Sequence, residues 1–185
     1  DTIVIGGAMA YAFFKAQGRD IGASKCDDND VPIARGFLDK AGKNGLARIL
    51  LPLDNHCTDK FAADGAKRMA DAGNIGAGWM GLDIGPKTIT QYAQVITAAK
   101  TVIWNGPMGV FEMPPFDAGT RGIALALVEA TSRGAVTIVG GGDSAAAIEE
   151  FGLAEKVSHV STGGGASLEM LEGKKFASVE ILDDK

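Results

Sequence analysis

The stretch VGGGDS at 139–144 places three glycines, a carboxylate and a hydroxyl between an apolar run and an alanine-rich segment of helical character. Glycine gives up backbone order unless something must come close to the main chain. A helix starting near Ser144 turns its unpaired N–H groups and positive dipole end towards that junction, where an anion is favoured. Gly140, Gly141 and Gly142 would let phosphate oxygens reach the backbone without meeting a Cβ. Asp143 repels phosphate, yet it makes sense if a divalent cation lies between them: Mg²⁺ takes one or two protein carboxylates and completes its shell with phosphate oxygens and water. The plainer alternative is that Asp143 or Ser144 caps the helix. The residues by themselves leave both open.

WNGPMGVFE at 104–112 carries different equipment. Asn105 at a strand end offers an amide donor, Pro107 and Val110 an apolar wall, and Glu112 either an acceptor for a ribose diol or a solvated surface charge. Gly6 and Gly7 leave room for a flat ring against the backbone, or for close packing of the next helix on its strand. Two tempting patterns fail. GAGWMG at 76–81 matches G-x-G-x-x-G, but no clear strand precedes it and Pro86 follows in place of a helix, which argues against a nicotinamide dehydrogenase. No G-x-x-x-x-G-K-[ST] occurs, so a P-loop does not cradle the phosphates. Asp27, Asp28 and Asp30 read as solvated charge at a helix start. Cys26, Cys57, His56 and His159 share no metal-ligand spacing and imply free thiols in a reducing compartment.

These loops need elements to hold them. Apolar or β-branched runs stop at glycine in 2–10, 101–109, 136–144 and 159–167, and ARILLPLD at 47–54 adds a further strand. Helical periodicity covers 8–17, 32–43, 88–99, 117–132, 144–151 and 166–171, with Ile123, Leu125, Leu127 and Val128 as core. Strands alternating with helices predict a mainly parallel α/β sheet with helices on both faces. Right-handed crossovers then bring the glycines to one rim, where such sheets bind ligands. Residues 55–87 fit the alternation poorly and read as a small excursion and loop, with Thr88 as N-cap of the helix after it.

The chain has 185 residues, 46% of them hydrophobic, and a net charge of -5. It reads as one domain whose acidic field suits neither nucleic acid nor an anionic membrane. The opening DTIVIGG lies directly inside a strand without an initiator Met, so a fragment is expected.

IGGAMAYAF, GWMGLDIGP, WNGPMGVFE, VGGGDSAAA and SHVSTGGGASLEMLEGK resemble, in that order, the nucleotide-binding C-terminal half of phosphoglycerate kinase, over nearly the whole chain. The resemblance implies a Rossmann-like α/β domain of three layers. It also implies reversible phosphoryl transfer between 1,3-bisphosphoglycerate and ADP, giving 3-phosphoglycerate and ATP, with Mg²⁺, in cytoplasmic glycolysis. Carried over position by position, Gly6, Gly7, Gly81 and Leu82 border the adenine pocket, Pro107 and Val110 close it, and Glu112 holds the ribose. Asn105 reaches the nucleotide phosphates, Asp143 holds Mg²⁺ and Ser144 stands beside the phosphates. Backbone N–H groups at Gly141 and Gly142 meet the transferred group, and Gly164 and Gly165 present a helix N-terminus to the second substrate.

On this resemblance residues 1–185 form the nucleotide-binding domain without its first strand-helix unit and without the N-terminal substrate domain. The chain alone is expected to be inactive and the full-length enzyme a monomer. A non-catalytic Mg-nucleotide-binding module is the alternative. Lys25 stands where the family usually has leucine, at the far wall of the pocket, and KKFASVEIL at 174–182 replaces a Leu-Pro-Gly-Val pattern.

Overall fold

A computed structural model describes residues 1–44, 46–161 and 163–176. Most of the divergent tail, from residue 177 on, lies outside the described residues. β1 (Thr2–Val4) pairs in parallel with β2 (Arg48–Leu50), and β6 (Thr101–Asn105), β7 (Val136–Gly140) and β8 (His159–Ser161) form a parallel sheet in that order. The helices are α1 (Met9–Ala16), α2 (Asp30–Lys40), α3 (Pro86–Thr97), α4 (Ala118–Ser132), α5 (Gly142–Glu150) and α6 (Gly164–Leu171). Parallel strands flanked by helices are the fold class that the alternation of runs predicts.

Burial explains why the runs form these elements. Tyr92 and Ile96 of α3, Ile123 and Leu127 of α4, Trp104 and Val139 of the sheet, and Ile148 of α5 make one core. Tyr11 and Phe14 of α1, with Cys57 and Ile75, make another. Full burial of one such aliphatic side chain contributes about 1.5–3 kcal/mol. The Tyr92 hydroxyl donates to Ile5 O at 2.7 Å and so ties α3 to the end of β1. Leu125 departs from the expected core and is 52% exposed. It lies two positions from both Ile123 and Leu127, which turns it to the opposite side of a 3.6-residue helix.

Residues 55–87 are the larger correction. They hold β4 (Lys67–Asp71) and β5 (Met80–Ile84), which flank β3 (Asp54–Thr58) in an antiparallel sheet. The strands read DNHCT, KRMAD and MGLDI; the first two show no apolar alternation, and the short Met80, Leu82, Ile84 alternation of the third lies in a glycine-dense stretch that ends at Pro86. Cross-strand pairing and burial of β3 hold the sheet instead.

Thr88 is not the N-cap of the following helix. α3 begins at Pro86, whose missing N–H costs nothing there, and the cap comes from β3. The buried Asp54 carboxylate accepts the N–H groups of Lys87 at 3.1 Å and Thr88 at 2.9 Å, and the Thr88 hydroxyl donates to it at 2.6 Å. Asp28 of the acidic cluster pairs with exposed Lys15, and Asp27 accepts the Asn29 N–H at 2.9 Å. Among the described residues no group of three His, Cys, Asp or Glu could hold a metal, and no helix is long and apolar enough to cross a membrane. Both cysteines are free, and burial pushes the Cys57 thiol up to about 11.

Candidate functional site

The rim of the β6–β7–β8 sheet follows from register. Asn105 lies beside Gly140, and Gly140 beside Ser161, so the loops after all three strands emerge side by side. Gly141 has φ +95°, a conformation that side chains rarely adopt, and it precedes α5. Its N–H donates to Ser161 O at 3.1 Å, and the Asn105 amide lies about a van der Waals contact from where a Cβ would stand. The first helical bond of α5 runs from Ala145 N to Gly141 O, which leaves the N–H groups of residues 142–144 without an acceptor inside the helix. Gly142 faces open space and Asp143 is exposed in the first turn.

Ser144 is fully buried, and its hydroxyl accepts the Gly106 N–H at 2.7 Å. That bond is one of several that use up the N–H groups of the 106–110 turn. Met108 and Gly109 donate to the Thr120 hydroxyl at 3.1 and 3.3 Å, and Val110 donates to Leu82 O at 2.9 Å. The turn is therefore held from α5, α4 and β5 at once.

A cleft of about 420 Å³ opens between this turn, α1 and β5. Gly7, Gly81, Leu82, Pro107 and Val110 all line it, together with Tyr11, Lys25 and Phe61. An adjoining groove of about 180 Å³ runs past Gly6 and Asn105 towards the rim. Gly6 and Gly7 are close to the turn itself. A Cβ at Gly6 would overlap Met108 Sδ, and one at Gly7, where φ is +59°, would come within 2.8 Å of Pro107 O. Gly81 is small because the Tyr11 hydroxyl occupies the space of its side chain, and its N–H is held by Ser24 Oγ at 2.9 Å. Glu112 is exposed beyond the turn and lines neither cavity, nor do Asp143 and Ser144. Gly164 and Gly165 open α6 after β8, and Gly165 lines neither cavity.

Asp143 suits a cation that arrives with its ligand. A single exposed carboxylate beside a helix N-terminus provides one of the one or two carboxylates that Mg²⁺ takes, and leaves the remaining positions to phosphate and water.

Residue spacing does not reveal Thr120, Ser24, Asp54 or Asp83. Asp83 is 2% exposed; its Oδ2 accepts the Gly119 N–H at 2.6 Å and its Oδ1 the Ile84 N–H at 2.8 Å. Burial pushes its carboxyl up to about 8, against the pull of those two donors and with a smaller push from Asp117. The signal that could have found it is the pair Gly109 and Gly119, at both of which a Cβ would overlap its carboxylate.

The family model described as phosphoglycerate kinase matches residues 1–174. The phosphoglycerate kinase of Chloroflexus aurantiacus is 54% identical over 184 residues, covering all of this chain and 46% of that protein. The cytosolic phosphoglycerate kinase of Nicotiana tabacum is 50% identical with the same coverage. Among solved structures, phosphoglycerate kinase from Coxiella burnetii superposes with a TM-score of 0.88 at 40% identity, over 94% of this chain and 44% of that one. The Pyrococcus horikoshii enzyme gives 0.79 at 28% identity, over 97% and 44%. The chain belongs to the phosphoglycerate kinase family, and it spans less than half the length of these relatives.

Proposed function

We propose that this chain is the Mg-nucleotide half of a phosphoglycerate kinase. That enzyme passes a phosphoryl group between 1,3-bisphosphoglycerate and ADP, giving 3-phosphoglycerate and ATP. The observation that carries the reading is the continuity of two cavities. A largely apolar cleft between Gly7, Gly81, Leu82, Pro107 and Val110 shares Gly7, Pro107 and Met108 with the groove at Asn105, whose amide lies beside Gly141 at the start of α5.

In this reading the base enters the cleft and Glu112 meets the ribose. Asn105 donates its amide to the phosphates, and Ser144 holds the turn beside them through Gly106. Asp143 would hold Mg²⁺, which when bound screens the phosphate charge. The N–H groups at the start of α5 face the transferred group, and those at Gly164 and Gly165 face the second substrate. Phosphoryl transfer asks mainly for positioning and charge stabilisation, which backbone donors supply. The phosphoglycerate side is the task of a second domain that the longer relatives have room for, so this chain binds nucleotide without turnover. The full enzyme acts as a monomer in the cytoplasm, where the tobacco relative is named as cytosolic.

Calorimetric titration with ADP, with and without Mg²⁺, tests this. Metal-dependent binding is expected, and Asp143→Asn should weaken it by about tenfold, or ~1.4 kcal/mol. A folded chain that ignores ADP under both conditions sinks the proposal.

A further inference from the structure

Asp83 has no part in the roles above, yet it sits where the two faces of the cleft meet. It directly follows Gly81 and Leu82, which line the cleft from β5. Its carboxylate is wedged between the 106–110 turn and the start of α4, so close to Gly109 and Gly119 that neither position has room for a side chain. It accepts the Gly119 N–H at 2.6 Å. The next residue of α4, Thr120, accepts the N–H groups of Met108 and Gly109, and Leu82 O accepts that of Val110. Strand, helix start and turn thus form a closed loop of hydrogen bonds, and Asp83 is the link between strand and helix.

We infer that Asp83 is a positioning residue of the nucleotide site, fixing the distance between the Gly81–Leu82 face and the Pro107–Val110 face of the cleft. It acts on a bound base only through those residues, and the inference rests on the nucleotide reading above. A buried carboxylate that merely capped α4 would need no contact with the turn. Asp54 is such a carboxylate. It is equally buried and caps α3 through two backbone N–H groups, but the glycine whose side-chain space it fills is Gly85, ahead of α3, whereas Asp83 packs against Gly109 of the turn.

The two aspartates therefore make a controlled experiment. Asp83→Asn keeps the size of the side chain but replaces one of its two accepting oxygens by a donating NH₂, so only one of the two N–H groups keeps its acceptor, and Asp54→Asn imposes the same change at α3. ADP affinity is measured by calorimetry with Mg²⁺ at a temperature where circular dichroism shows both variants folded. Amide hydrogen exchange at 108–110 is followed without nucleotide. Asp83→Asn should lower ADP affinity about fivefold and speed exchange at those amides about tenfold, whereas Asp54→Asn should move neither by more than about twofold.

Equal effects from the two variants, or none from Asp83→Asn, overturn the inference. If exchange responds as expected while the wild-type chain binds no ADP, the tie stands as structure, and both the nucleotide reading and Asp83's role in it fall. Should Asp83→Asn fail to fold, Gly119→Ala decides. Its methyl presses on the same carboxylate from α4, outside the cleft, and unchanged ADP affinity in that variant overturns the assignment.

Discussion

The parallel sheet β6–β7–β8 and the antiparallel sheet β4–β3–β5 contribute to one site by opposite means. The first is held by buried aliphatic side chains, Val139 in one cluster with Leu127 and Ile148, and presents main chain where strands stop at glycine. The second is polar along most of its length and attaches to the rest of the fold through carboxylates. Asp54 on β3 caps α3, and Asp83 on β5 caps α4. Apolar packing is non-directional and accommodates more than one arrangement of similar volume. A buried carboxylate with two backbone donors does not, because an unmade bond costs the full desolvation of the group. On the inference drawn above, the width of the cleft is set through Asp83 of the polar sheet, while the apolar sheet carries the glycine turns of the rim.

The contrast can be broken by mutation. The largest effect is expected in the apolar region: Leu127→Ala should cost about 2–5 kcal/mol in urea unfolding, since the fully buried side chain leaves a cavity in a core closed on all sides. A loss below 1 kcal/mol would mean that aliphatic burial does not dominate there. Next comes Asp54→Ala, which strands two backbone N–H groups and the Thr88 hydroxyl and should cost about 2–3 kcal/mol. A cost near zero would show that the polar sheet is not fastened by its carboxylates.

The smallest effect, taken per pH unit, is a pH slope. The folded-state value of Asp83, about 8, lies above the ordinary carboxylate value of 3.8, so the folded chain binds the extra proton between these limits. Its contribution to stability is full below about 4 and is lost as pH rises through about 8, by at most ~1.4 kcal/mol per pH unit. Comparing urea midpoints at pH 5 and pH 8 should show the wild type losing more stability than Asp83→Asn on the same rise. Parallel curves would mean that Asp83 is already ionised in the folded chain at pH 5.

Most of the parallel half was legible. Runs such as TVIWN and VTIVG announce buried strands, and the glycines after them announce turns at the rim. Of the six positions that the family motifs place at one pocket, 7, 81, 82, 107 and 110 line one cleft and Gly6 lines the groove beside it. The strands of the 55–87 segment were not legible, because Lys67, Arg68 and Asp71 are exposed and DNHCT buries polar side chains against partners far along the chain. Leu125 was misread because residues 123–128, IALALV, are all apolar and hide which side of the helix faces inward. Thr88 looked like a cap by type and by its place beside Pro86, but the acceptor that caps α3 lies 34 residues away from it.

Chain composition and periodicity decided the helices and the parallel strands of this protein, since strand and helix preference, apolar runs and glycine stops are properties of neighbouring residues. The family motifs identified the loops that face one another. Only the tertiary structure decided how those loops are fastened. The Gly106 N–H finds its acceptor at Ser144, 38 residues on, and the Gly119 N–H finds its own at Asp83, 36 residues back. A buried N–H must be paired, but any of several side chains could serve, and the choice is made by which segments the packed core brings within 3 Å.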